Sequence, residues 1–226
     1  MQPATARSPM RERFREQVRE DVKAAALDQL TTGGAQAISI KAIAKQLGVS
    51  GTALYRYFAN RDELLTALVV DAYGDLRQAL ERGFEAGRTQ SDPEERVRGL
   101  AREYRAWALA EPHRYELLFK PPLPGYDAHT EPLAAAARSL MEVLLAALHG
   151  IDDAEPVPAG DLSPVTSEQV LAARSAGTEK FQLAVSVWSR LHGIVSLELG
   201  GGFAAMHLDA DTLFERELRV LAERLG

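Results

Sequence analysis

Two short apolar repeats separated by one glycine restrict residues 38–64, ISIKAIAKQLGVSGTALYRYFANRDEL, to a pair of helices with a tight turn between them. Ile40, Ile43, Ala44 and Leu47 recur at i, i+3, i+4 and i+7, which is one face of a short helix. Ser39 stands at its start, where a hydroxyl can accept a free backbone N–H. Gly48 follows its end, where a left-handed residue closes a helix most easily. Ser50 caps a second helix at once, expected over residues 50–57, with Leu54 and Phe58 as its buried side. This is the spacing of a helix-turn-helix, whose second helix can lie in the major groove of DNA. A helical hairpin inside any all-α domain, with Tyr55 and Tyr57 as packing groups, would satisfy the same spacing.

The outward face of the second helix favours the DNA reading. Gly51, Thr52 and Ala53 are small enough for close approach to a backbone or base edge. Ser50 and Thr52 offer hydroxyls, and Tyr55, Arg56 and Tyr57 offer a cation and two phenols. Free N–H groups at a helix start also attract phosphate. The net charge of −6 points away from nucleic acid until its distribution is considered. Residues 1–62 hold ten Lys or Arg against six Asp or Glu, whereas residues 63–226 hold sixteen against twenty-six. A basic end on an acidic body is the asymmetry of a chain that meets phosphate with one segment.

The remainder reads as successive helices, so the fold class is all-α. Residues 11–32 place Phe14, Val18, Val22, Ala25 and Leu30 near one face and stop at Gly33-Gly34. Asn60 caps a helix through about Ala86, striped by Leu64, Leu65, Leu68, Val69, Ala72 and Leu76, with a boundary at Gly87 and Asp92-Pro93. Further helices are expected over 93–110, 113–120, 130–149, 166–176, 178–199 and from Asp209 to Leu225. Proline-rich 121–125 and the stretch 150–164 are expected connections. The chain divides into an N-terminal three-helix unit at 1–60 and a larger helical domain at 61–226.

Composition limits the chemistry. Without cysteine there is no disulfide framework and no thiolate. No apolar run reaches the roughly 18 residues of a membrane span, and the N-terminus lacks the apolar centre of a signal peptide, so the expectation is a cytoplasmic protein with no membrane partner. No two of His113, His129, His149, His192 and His207 are four apart, and none follows a glutamate by three, so helical metal-site spacing is missing. No nucleophile elbow or phosphate loop occurs, and Gly200-Gly201-Gly202 follows a helix as a breaker. No catalytic residue, metal or cofactor is expected. An unrecognised all-α enzyme, with Glu142, Glu179 or Glu198 paired in space, is the remote alternative.

The run Gly48-Val49-Ser50, Leu54-Tyr55, Phe58, Asn60-Arg61-Asp62 and Leu64 resembles the DNA-binding domain of the TetR family of transcriptional regulators, over about residues 11–70. Tyr57 stands where that family commonly has histidine and Arg61 where it commonly has lysine; both retain a donor. The resemblance implies base-proximal contacts from Ser50, Gly51, Thr52 and Tyr57, and phosphate contacts from Ser39, Lys41, Tyr55 and Arg61. Trp188, His192 and Gly193 in WSRLHGIVSLEL resemble the C-terminal domain of a TetR subgroup with a tryptophan and a histidine-glycine pair. A glycine inside a helix costs about 1 kcal/mol relative to alanine, which a close helix crossing would explain.

The family implies a homodimer through helices 178–199 and 209–225, a palindromic double-stranded DNA operator, and a small apolar effector that releases a repressor. Tyr104, Trp107, Phe119, Met141, Leu145, Trp188 and His192 have the chemistry of a ligand pocket. They would equally make a plain core, with His192 as a packed, hydrogen-bonded histidine. A constitutive DNA-binding regulator without an effector is then the alternative.

Overall fold

A computed structural model of the chain describes residues 9–88, 93–120, 126–127, 130–149 and 168–223. Among them every regular element is helical: α1 (Pro9–Gly33), α2 (Ile40–Gln46), α3 (Gly51–Leu54), α4 (Arg61–Arg88), α5 (Pro93–Ala110), α6 (Pro112–Phe119), α7 (Glu131–Ala147), α8 (Glu168–Leu199), α9 (Gly202–Ala205) and α10 (Ala210–Ala222). The all-α expectation therefore holds. The chain forms two compact units: one is Met1–Ala72 with His113–Ala134, the other Tyr73–Pro112 with Ala135–Gly226. The expected division after residue 60 falls at the start of α4, whereas packing divides the chain within that helix, because α4 supplies buried residues to each unit.

In the first unit, α1 packs on α2 and α2 on α3. Val22, Ala25, Leu30, Ile40, Ile43, Ala44, Leu54 and Phe58 are buried, as their periodicity requires, and Leu47 is half-buried. Phe14 departs from the pattern: it is 67% exposed, because α1 begins before the stretch that α2 covers. A short 3-10 turn at Ala35–Ala37 joins α1 to α2. Asn60 caps α4 by accepting the Glu63 N–H at 2.8 Å, while Glu63 accepts the Ala59 N–H at 2.6 Å. This reciprocal arrangement satisfies donors that no helical carbonyl reaches.

In the second unit, α5, α8 and α10 pack together. Val97, Leu100, Ala101, Ala108, Val187, Leu191, Val195, Phe214, Leu218 and Leu221 are among its buried residues. Arg105 ties the three helices by a bidentate pair with Glu198 at 2.7 and 2.6 Å, a bond to Asp211 at 2.6 Å, and a position over the Phe214 ring. Arg102–Glu215 and Arg190–Glu217 add two further links. Glu198 therefore shares Arg105 with Asp211 as an ion-pair partner.

One expectation needs correction: α8 is continuous through Gly177, so the helices expected at 166–176 and 178–199 are one. The boundary expected at Gly87 and Asp92-Pro93 falls where α4 ends at Arg88 and α5 begins at Pro93. Among the described residues, a Cβ on Gly193 would meet nothing within 4 Å. The expected connections at 121–125 and 150–164, and the end of the last helix at 224–225, lie outside the described residues.

A glycine crossing joins α4 and α5. A Cβ on Gly83 would stand 2.4 Å from the Gly99 carbonyl oxygen, and one on Gly87 would stand 2.6 Å from the Arg96 Cα. The obstacles are backbone atoms, which cannot rotate aside. Gly83→Ala should therefore destabilise the protein by about 1–3 kcal/mol, the range for overpacking, despite alanine's better helix propensity. Urea unfolding measures this; a variant as stable as the parent would mean that the crossing opens freely.

Candidate DNA-reading face and aromatic cluster

The turn between α2 and α3 is built from the two positions that the sequence singles out. Gly48 has φ +67°, the left-handed conformation. The Val49 N–H donates to the Ala44 carbonyl at 2.9 Å and the Gly48 N–H to that of Lys45 at 3.3 Å. These are the two bonds of a Schellman closure. Ser50 then caps α3, its Oγ accepting the Ala53 N–H at 3.2 Å. Ser39 caps α2 through a longer bond from Ala42, at 3.4 Å, and its own N–H donates to Gln29 Oε1 at 2.8 Å.

The second helix is shorter than the expected 50–57. Regular α-helix covers Gly51–Leu54, and the Arg56 and Tyr57 N–H groups bond three residues back, to Ala53 and Leu54. The Phe58 N–H still bonds four residues back, to Leu54 at 3.2 Å, and Leu54 and Phe58, each 1% exposed, share the inward face. Of the residues expected at DNA, Lys41, Ser50, Thr52 and Tyr55 are exposed, whereas Ser39, Gly51, Tyr57 and Arg61 are half-buried. Arg61 also has an inward bond: its Nη2 donates to the Ala35 carbonyl at 2.6 Å. Its remaining N–H groups, apart from the buried and unpartnered Nε, are what it can offer outward.

Two arginines of α1 reach the end of this segment, and of them Arg19 was not singled out by the sequence. Arg19 Nη1 donates to the Tyr57 carbonyl at 2.5 Å, and its guanidinium lies 4.2 Å from the Phe58 ring centroid. Arg15 reaches the Arg56 carbonyl at 3.5 Å. Nothing in the local sequence foretells contacts between residues 38 and 41 positions apart. The one available sign is that Arg15 and Arg19 stand one helical turn apart and just before the buried Val22.

In the second unit, three of the expected ligand residues form a cluster. The Tyr104 ring is 5.1 Å from Trp188, and Trp188 stacks on His192 at 5.9 Å. Tyr104 OH and His192 Nδ1 are 3.1 Å apart, a hydrogen bond. Trp107, one turn along α5 from Tyr104, is 8% exposed, and its Nε1 is buried without a hydrogen-bond partner. Met141 and Leu145 are half-buried on α7 in the same unit. Phe119 belongs to the other unit, its ring 4.8 Å from Tyr115. Among the described residues no group of His, Asp and Glu could hold a metal ion. No described helix is long and apolar enough to cross a membrane.

Residues 23–68 match the family of bacterial regulatory proteins named for TetR, and residues 97–221 match the tetracyclin repressor-like C-terminal domain. The chain belongs to the TetR family. This regulator is 33% identical over 233 residues to the HTH-type transcriptional regulator Rv1816 of Mycobacterium tuberculosis, covering 98% of each chain. It is 29% identical to the uncharacterized HTH-type transcriptional regulator Rv0681 of the same species, over 87% of this chain and 76% of that one. The crystal structure of the regulatory protein SCO4313 is 40% identical, superposes with a TM-score of 0.74, and covers 93% of this chain and 97% of its own. FadR of Bacillus subtilis, solved in complex with stearoyl-CoA, shares the fold at TM-score 0.57 and 16% identity, over 90% and 97% of the two chains. A TetR-family protein is a DNA-binding transcriptional regulator that dimerises, and the named relatives are regulators and not enzymes.

Burial holds the His192 imidazole below its ordinary value of 6.5. As pH falls through that value the unfolded chain takes up a proton that the folded chain does not, so stability falls. This TetR-family protein should melt at a lower temperature at pH 5.5 than at 7.5, and His192→Gln, which keeps a partner for Tyr104, should lose part of that difference. An equal difference in both proteins would assign the effect to other groups.

Proposed function

We propose that this regulator is a homodimeric repressor that binds a palindromic operator and is released by a small apolar molecule. The observation that carries the DNA part is the rigidly closed, capped start of α3, which leaves Ser50 and Thr52 exposed beside the small Gly51. In this reading Ser50, Gly51, Thr52 and Tyr57 approach base edges. Ser39, Lys41, Tyr55 and the outward N–H groups of Arg61 hold phosphate. Tyr55, 53% exposed, has no other evident reason to leave the core.

Dimerisation through α8 and α10 is supported by two features of α8. Gly193 has open space where a side chain would be, and Leu197, one turn on, is an exposed large hydrophobe. A mid-helix glycine that nothing in its own chain requires fits a close approach by a second copy. Trp188, His192 and Gly193 would then mark the subgroup, with the first two inside the unit and the glycine at its surface. Such a dimer presents two identical reading segments, so the operator is a palindrome. The protein would work in the cytoplasm.

The effector reading rests on the Tyr104–Trp188–His192 cluster and the buried, unpartnered indole N–H of Trp107. An apolar wall with a few polar groups is the chemistry of a small-molecule site. The fold relative solved with stearoyl-CoA supports a helical body of this kind accepting a ligand. Transmission would use α4, which begins at Arg61 directly after the reading segment and belongs to both compact units. A helix moves as a rigid piece, so a shift along α4 changes the reading segment's position.

Selection from random DNA should recover a two-fold symmetric site. On it, Thr52→Ala should relax preference at one base pair per half-site, by about 1–3 kcal/mol. Lys41→Ala should weaken all sequences alike and reduce the salt slope by roughly one per half-site. A base-specific effect at Lys41, or none at Thr52, would reverse those roles; a single unpaired half-site would sink the dimer. For the effector, compounds that raise the melting temperature are titrated with and without operator. Coupling of about 1–3 kcal/mol should lower ligand affinity roughly 5–150-fold when operator is bound. Unchanged ligand affinity would rule out release by this route and favour a regulator without an effector.

A further inference from the structure

We propose that Arg19 is a positioning residue for DNA recognition: from α1 it fixes the C-terminal end of the reading segment and so sets operator affinity without touching DNA. The inference rests on Ser50–Tyr57 being the segment that faces DNA.

The N-terminal end of that segment is held by its own neighbours, through the Schellman closure at Gly48 and the Ser50 cap. Its C-terminal end has no comparable closure. α3 is four residues long, and a helix end leaves carbonyls unsatisfied. The Tyr57 carbonyl is taken by Arg19 Nη1 at 2.5 Å. The same guanidinium lies on the ring of Phe58, the next residue, at 4.2 Å from its centroid. Phe58 is itself an anchor in the core. One planar group therefore grips two consecutive residues at the point where the chain leaves α3 for α4. Arg15, one turn earlier on α1, reaches the Arg56 carbonyl at the limit of a hydrogen bond.

The fork geometry suits this task. A guanidinium can present an edge N–H to a carbonyl while its face covers an aromatic ring, which an ammonium cannot do in one pose. A cation at a helix C-terminus also opposes the partial negative charge there. Without Arg19 the segment would keep the closure at Gly48 and Ser50 and the burial of Leu54 and Phe58, but the Tyr57 carbonyl would lose its tether to α1, and Thr52 and Tyr55 would be held less firmly. Base-edge hydrogen bonds need donor and acceptor within a few tenths of an ångström, so such freedom lowers affinity for the correct sequence first.

The test uses the full-length protein, the operator duplex recovered by selection, and an unrelated duplex of equal length. Arg19→Met retains most of the stem and removes the fork. Loss of one charge-assisted hydrogen bond should weaken operator binding by about 10-fold or more. Binding to the unrelated duplex and the salt slope on both should stay as in the parent, because no phosphate contact is lost. Amide exchange at Tyr57 and Phe58 should quicken. Equal weakening on both duplexes with a salt slope lower by about one per half-site would make Arg19 a phosphate contact and overturn the proposal. Unchanged operator affinity would overturn it as well.

Should Arg19→Met not fold by circular dichroism, Arg19→Lys keeps the charge and stem. It should still lose operator affinity at unchanged salt slope; full operator affinity in that variant would overturn the need for the fork. Thr52→Ala separates the two levels. If it alters base preference while the Arg19 variants do nothing, the positioning role fails alone. If neither alters operator binding, the reading segment has been misplaced.

Discussion

A helix of four residues cannot hold itself together in water, because nucleation fixes several residues for each hydrogen bond gained. α3 exists only because its surroundings hold it. Gly48 and Ser50 close its start, Leu54 and Phe58 bury its inner side, and an arginine from α1 takes a carbonyl at its end. The exposed Ser50, Thr52 and Tyr55 have fixed positions only while that arrangement persists. Burial of two large side chains on so short a segment supplies most of the holding energy, at about 1.5–3 kcal/mol each.

The helical body solves a different problem. α5, α8 and α10 must stay in register while their outer faces remain polar. Arg105 does much of this, with Glu198 and Asp211 as partners and the Phe214 ring beneath it. Its side chain and that of Glu198 are largely shielded, so this pair is screened less than Arg102–Glu215, which is half exposed on both sides. Bidentate pairing also fixes orientation, which a single lysine contact would not. Beside this frame, the Tyr104–Trp188–His192 cluster places three adaptable polar groups among apolar walls. The indole Nε1 of Trp107 is buried there without a hydrogen-bond partner.

The family assignment and the geometry bear on different questions. Similarity along nearly the whole chain to transcriptional regulators establishes the class of protein. The contacts show how the class is realised in these residues. Arg61, at a position where the resemblance implies phosphate, is half-buried with one N–H on the Ala35 carbonyl. Gly193 has space around it among the described residues, whereas Gly83 and Gly99 form a tight crossing.

By itself the sequence determined the elements whose causes are local. Glycine's freedom at Gly48, the hydroxyl caps at Ser39 and Ser50, the carboxamide cap at Asn60 and the apolar stripe of α4 all act within a few residues. The helix-turn-helix and the all-α class were therefore readable, as was the pairing of Trp188 with His192 one turn away. What only the tertiary structure decided are the contacts between distant positions, because nothing local encodes which surfaces meet. The exposure of Phe14 and the glycine crossing of α4 with α5 came from which faces are covered. The grip of Arg19 on Tyr57 and Phe58 is of the same kind: a long flexible side chain gives no periodic signal, and its partners are set by where the folded backbone brings a carbonyl and a ring together.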